Sequence, residues 1–231
     1  MRGCLRSGVP MSKPAPPSPT PARPVLIAGM YHSGTSMLAK CLHEQGVRMW
    51  SDEWGQVSDE KQEGREFCEC KRLWDINQRE QERGLVKLRA DGMGYNYVPS
   101  LEMRQDLVGY RKAREAEGVA WGAKEPRIAT YIDAYTGTFR GAKLILCLRN
   151  QGRVAESRLT RGHGTTPIVT LVTSLFTAAR CLTRLNEAEG VDTFLWVYER
   201  TEAEHCRQQA ALREFLGMPE FDYMGQFKRE R

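Results

Sequence analysis

Apolar residues fall in short runs separated by amphipathic stretches, in the rhythm of strands alternating with helices. Val25-Leu26-Ile27-Ala28 is a continuous apolar run of strand length; Met37, Leu38, Cys41 and Leu42 then recur at helical spacing. The region from Glu60 to Arg89 is polar and helix-prone, with Phe67, Cys70, Leu73, Trp74 and Ile76 giving one apolar face, and Asp91 to Tyr95 reads as a loop. A helix is predicted from Ser100, an N-cap, to Glu117, with Gly118 ending it. Val119 to Ala123 predicts a short strand that Pro126 stops from continuing in a sheet interior, and a short helix from Ile128 to Tyr135 follows. Lys143 to Leu148 is the clearest strand, and a helix through Val154, Ser157 and Leu159 comes after Arg149-Asn150. A helix from Pro167 to Glu189, a strand from Thr193 to Tyr198 and a helix from Glu202 to Leu216, closed by Gly217, complete the pattern. The alternation predicts a three-layer α/β/α domain with a mainly parallel sheet and right-handed crossovers.

Length and composition narrow this further. A chain of 231 residues suits one α/β domain with a well-buried core. Residues 1–23 are proline-rich and read as a disordered tail, leaving 24–231 as the domain, with about 50–118 as a helical insert. The formal charge of +5 is modest and the signs are mixed along the chain, which argues against a nucleic-acid surface. Seven cysteines, an odd number without a Cys-x-x-Cys pair, predict free thiols and a reducing, cytoplasmic setting. No run approaches the roughly eighteen apolar residues of a membrane span, and the first residues lack the apolar core of a secretory signal.

The candidate chemistry sits where predicted strands end. Gly29-Met30-Tyr31-His32-Ser33-Gly34-Thr35-Ser36 joins a strand to a helix, so its backbone amides and the helix N-terminus suit a phosphate. The spacing is that of a P-loop, but Thr35 stands where a nucleoside-triphosphate P-loop carries lysine. Ligands of parallel α/β sheets bind beyond the carboxyl ends of strands. Two further polar clusters fall there: Lys124-Glu125-Pro126-Arg127, and Arg149 with Ser157 eight residues on. Of the four histidines, His43, His163 and His205 are scattered, and no metal-ligand spacing is present.

Taken in order, these segments resemble the sulfotransferase family that uses 3′-phosphoadenosine 5′-phosphosulfate (PAPS), a P-loop NTPase-like fold. His32-Ser33-Gly34-Thr35-Ser36 is similar to its 5′-phosphosulfate loop, and Leu144 to Asn150 with Ser157 is similar to its 3′-phosphate element. Trp121-Gly122-Ala123-Lys124-Glu125-Pro126-Arg127 resembles the Trp-Gly-x-Lys-Asp-Pro-Arg signature of bacterial members. Glu63 to Glu69 resembles their Gly-x-x-Phe-Glu segment, and Trp196 to Arg200 and Phe215 to Pro219 resemble two C-terminal stretches. The resemblance implies metal-free transfer of a sulfonate from PAPS to a hydroxyl or amine of a small molecule or carbohydrate. It implies that His32, Ser33, Gly34, Thr35 and Ser36 hold the 5′ end of the donor and that Arg149 and Ser157 hold the 3′-phosphate. Lys124 and His32 are then the groups expected at the transition state, with Glu69 or Glu125 as base ahead of Glu53 and Asp52. His32 replaces the usual Lys or Arg. It either becomes an imidazolium beside the donor, or shapes the loop while Lys124 supplies the charge, or marks a weakened member. Two rival readings stay open: a P-loop nucleotide kinase, and a non-catalytic nucleotide-binding protein of this fold.

Overall fold

A computed structural model describes residues 23–29, 33–50, 56–59, 65–83, 86–88, 95–160, 189–198 and 201–225, with isolated residues between 171 and 186. The continuous apolar runs become the centre of a parallel sheet: β1 (Val25–Gly29), β6 (Gly122–Lys124), β7 (Lys143–Leu148) and β8 (Asp192–Val197), in the order β6-β1-β7-β8. All three pairings are parallel. Strands buried on both faces have no reason to alternate, and β1 and the middle of β7 are indeed buried throughout.

Successive residues of the central strands β1 and β7 feed opposite cores. Leu26, Ala28, Leu144 and Leu146 pack with Leu73 and Ile76 of α2 (Lys71–Glu82), Met103, Leu107 and Tyr110 of α3 (Leu101–Ala116), and Ile132 and Tyr135 of α4 (Ile132–Thr138). Val25, Ile27, Ile145, Cys147 and Trp196 pack on the other face with Leu38, Cys41 and Leu42 of α1 (Thr35–Glu44) and Leu212 and Leu216 of α6 (Glu202–Leu216). Helix α5 (Gln151–Thr160) follows β7. The result is the expected three-layer α/β/α domain.

Local chemistry sets the helix ends. Ser100 caps α3 by accepting from the Met103 amide at 3.0 Å. Thr201 and Glu204 form a reciprocal capping box on α6, the Glu204 carboxylate accepting from the Thr201 amide at 2.9 Å. Beneath the sheet, Arg114 is fully buried; it donates to both oxygens of Glu117 at 2.8 and 3.0 Å and to the Arg48 carbonyl at 2.6 Å. A lysine keeps the charge but not the fork, so Arg114→Lys is expected to cost about 1–2 kcal/mol, read from the urea midpoint.

One segment departs from its sequence pattern. The helix expected between Glu60 and Arg89 is confined to α2. It is preceded by an antiparallel ribbon, β2 (Gln56–Asp59) with β3 (Arg65–Cys70), and followed by a second, β4 (Val86–Leu88) with β5 (Tyr95–Tyr97). A two-stranded ribbon is held by pairing across the chain rather than by an apolar face of its own, so the local pattern does not announce it. The helix expected from Ile128 to Tyr135 is instead a 3-10 turn, Pro126–Ile128, followed by α4. The helix expected from Pro167 to Glu189 lies largely outside the described residues, as does the tail over 1–22. Among the described residues, Cys41, Cys68, Cys70, Cys147 and Cys181 are buried and Cys206 is exposed, and none of the six is in a disulfide. Among the described residues no helix is long and apolar enough to cross a membrane.

Candidate active site

Because the four strands run parallel, their carboxyl ends share one rim. Ile27 is in register with Lys124, Gly29 with Cys147, and Leu148 with Val197. The chain therefore releases the loop after Gly29, the segment after Lys124, Arg149 and Tyr198 along the same edge.

The turn that enters α1 packs tightly against the end of β1. A Cβ on Gly29 would stand 2.7 Å from Ser33 Oγ and 2.8 Å from the Cys147 carbonyl oxygen, closer than any side chain tolerates. Ser33 and Thr35 are buried within this turn. Gly34 is the N-cap of α1 at φ 86°, the left-handed region glycine enters without penalty. It offers no capping side chain, and the first turn of α1 holds no acidic residue. The helix thus presents its amides and the positive end of its dipole to the rim, the arrangement that suits an anion. Met30, Tyr31 and His32 lie outside the described residues.

Lys124, at the end of β6, is only 2% exposed. Its Nζ donates to Ser36 Oγ at 3.1 Å and to Glu69 Oε1 at 2.5 Å. Glu69, 5% exposed, reaches it from the end of β3 through an irregular backbone. Gln56 pairs with Cys70 and Ser58 with Glu66, so two steps along β2 match four along β3. Within this bulge Cys68 has φ 54°, the one non-glycine residue with positive φ among those described. Bulges re-aim the side chains beside them, and here Glu69 is turned onto the lysine.

Glu125 takes a different position. Its side chain is wholly buried, with Oε2 accepting from Asn77 Nδ2 at 2.6 Å and from the Arg127 amide at 2.9 Å, and Oε1 accepting from Arg127 Nε at 2.7 Å. Burial is the main cause of a carboxyl pKa raised to about 7; Arg127 opposes the rise, and the Glu69 charge adds to it. Arg127 spends its remaining donors on α2: Nη1 on Gln78 Oε1 at 2.7 Å and Nη2 on the Trp74 carbonyl at 3.2 Å. Asn77 Oδ1 accepts from the Tyr135 hydroxyl at 2.8 Å. Glu125 and Arg127 thus clamp α2 onto the end of β6, and α2 begins one residue after Cys70, next to Glu69.

On the far side of the loop, the Tyr198 amide donates to the Leu148 carbonyl at 2.8 Å, extending the β7–β8 ladder by one residue. The Tyr198 ring fills the space where a Gly34 side chain would be: a Cβ there would lie 2.6 Å from the ring. Arg149 Cζ lies 5.3 Å from the centroid of the same ring. Arg149 and the Gly34 turn are therefore neighbours through one aromatic side chain. Ser157 lies on α5, partly buried, just under two turns from the start of the helix.

The structure thus brings Ser36, Lys124 and Glu69 into one hydrogen-bonded group, sets Glu125 beside it in a separate network, and places Arg149 on the same rim. Asn77 and Tyr198 had not stood out as site residues. Asn77 looks like any polar helix residue, but Tyr198 ends a predicted strand, as Arg149 does, and the same criterion finds it. Among the described residues, no group of three or more His, Cys, Asp and Glu side chains is placed to hold a metal.

No protein-family profile matches the chain, and no curated protein does. Solved structures do. The sulfotransferase domain of the Synechococcus PCC 7002 olefin synthase matches at TM-score 0.55 and 20% identity, over 91% of this chain and 80% of that one. A sulfotransferase of Mycobacterium tuberculosis matches at TM-score 0.51 and 15% identity, over 92% of this chain and 72% of that one. A Janibacter sugar kinase reaches a TM-score of 0.43 at 13% identity, over 86% of this chain and 97% of that one, too distant to weigh in the assignment. The chain shares its α/β fold with these bacterial sulfotransferases.

Proposed function

We propose that the protein is a sulfotransferase that moves a sulfonate from PAPS to a hydroxyl or amine of a small-molecule or carbohydrate acceptor. One observation carries the proposal: the Gly34 turn and the Arg149 guanidinium meet on the Tyr198 ring. An anion cradle and a permanent cation thus flank a single stretch of rim, as a nucleotide with phosphates at both ends requires. In this reading Ser33, Gly34, Thr35 and Ser36 receive the 5′-phosphosulfate, with His32 preceding them in the chain. Arg149, with Ser157, receives the 3′-phosphate that separates PAPS from ATP.

Transfer is an in-line displacement at sulfur. The acceptor oxygen or nitrogen forms the new bond to sulfur, the bond from sulfur to the bridging oxygen breaks, and that oxygen keeps the electron pair. Lys124, held among Ser36 and Glu69, meets the charge that builds on the bridging oxygen. The acceptor's proton goes to a carboxylate. We assign that role to Glu69 rather than Glu125, because both Glu125 oxygens are taken up by Asn77 and Arg127 while Glu69 is aimed at the lysine. A nucleotide kinase would carry lysine where this chain has Thr35, and nothing among the described residues of the rim favours it.

The test is a thermal-shift titration with 3′,5′-bisphosphoadenosine, AMP and ATP, repeated in Arg149→Ala. The bisphosphate is expected to raise the unfolding temperature most, and that advantage is expected to vanish in the variant. Equal stabilisation by ATP, or a bisphosphate advantage that survives the substitution, would refute the donor assignment.

A further inference from the structure

We infer that Tyr198 is a positioning residue, the platform that holds the Arg149 guanidinium ready for the donor's 3′-phosphate; the inference rests on the donor assignment above. Three independent contacts fix its ring and backbone. The amide is tied to the Leu148 carbonyl at 2.8 Å, the ring lies where a Gly34 Cβ would be, and His205 of α6 meets the ring edge-on at a centroid distance of 6.2 Å. His205 is in turn stacked on Tyr223, with planes 7° apart. The ring is therefore braced from the loop side and from α6, and the Arg149 guanidinium carbon lies over it at 5.3 Å.

An arginine side chain has many rotamers, and ordering it opposes binding. A guanidinium already resting on a rigid aromatic face has been ordered during folding, and the face adds a cation–π attraction. Binding of the 3′-phosphate then engages a group that is in place, which is preorganisation in the ordinary sense. The ring also touches the turn that receives the other end of the nucleotide, so one side chain fixes the spacing between the two anion sites. The ring does this rather than the hydroxyl, which sets the design of the test.

The probes are 3′,5′-bisphosphoadenosine and 5′-AMP, titrated calorimetrically into the full chain and into its Tyr198→Phe, Tyr198→Leu and Tyr198→Met variants. The readout is the ratio of the two affinities, which isolates the 3′-phosphate. The parent is expected to prefer the bisphosphate, and Tyr198→Phe to keep that ratio within about twofold. Tyr198→Leu and Tyr198→Met are each expected to lower it by about fivefold or more, the scale of a lost cation–π contact. Either variant, shown to be folded by cooperative unfolding, that keeps the parent's ratio overturns the inference and leaves the donor assignment standing. So does a loss falling equally on both nucleotides, which would make the ring mere packing for the loop. A parent that does not distinguish the nucleotides overturns both.

Discussion

Lys124→Met is expected to lower turnover by about 10²- to 10³-fold, the usual effect of removing one preorganised donor from a developing oxyanion. The lysine is nearly inaccessible to water, so its attraction for the bridging oxygen is little screened. Affinity for 3′,5′-bisphosphoadenosine is expected to change far less, since the loop amides and Arg149 remain. The measurement is transfer of labelled sulfonate from PAPS to a panel of hydroxyl and amine acceptors, with nucleotide affinity followed in parallel. A variant that keeps a tenth of the parent's turnover would remove Lys124 from the mechanism. The substitution also leaves the Glu69 carboxylate buried without its 2.5 Å partner, which is expected to cost about 3–5 kcal/mol of stability. Adding Glu69→Gln removes the orphaned charge, so the double variant is expected to recover most of the stability and none of the turnover. That split separates a chemical role for the pair from a structural one.

The sheet was legible in the sequence because buried parallel strands leave an unmistakable mark. Lys143 to Leu148 reads as one apolar run and forms β7 over the same residues. Helices α3 and α6 were legible from their ends, since Ser100 is a cap residue by chemistry and Gly217 closes the last helix; the Thr201 capping box appears only in the structure. The loop and the strand-end cations were legible because a parallel sheet sends every carboxyl terminus to one rim, so residue type and topology suffice to gather them. What lay beyond the sequence depends on where distant segments meet. The turn of the backbone at Cys68 is carried by a residue that does not advertise positive φ as glycine does, and it decides where Glu69 points. The burial of Glu125 follows from α2 docking on β6, which no local pattern encodes. Tyr198 read as the last residue of a strand; only the fold reveals that its ring is shared by Gly34 and Arg149.

Glu125 is also expected to make stability fall as pH rises between about 4.5 and 7. In the unfolded chain its carboxyl loses its proton near 4.5; in the folded chain burial holds the proton until about 7. Below this window the group is protonated in both states, and its contribution to stability is fully present. Within it the folded chain binds the extra proton, so each step up in pH favours the unfolded state, and above about 7 the loss is complete. The whole change amounts to about 3 kcal/mol. Glu125→Gln has no proton to lose, so its unfolding free energy in urea should lack this decline. The comparison is of slopes rather than absolute stabilities, because the amide cannot accept from Asn77, the Arg127 amide and Arg127 Nε all at once. Parallel curves for parent and variant from pH 5 to 8 would show that Asn77 and Arg127 hold the carboxylate charged despite its burial. Glu125 would then be a fixed anion beside Lys124 and Glu69, and the field around the lysine would have to be rebuilt on three buried charges rather than two.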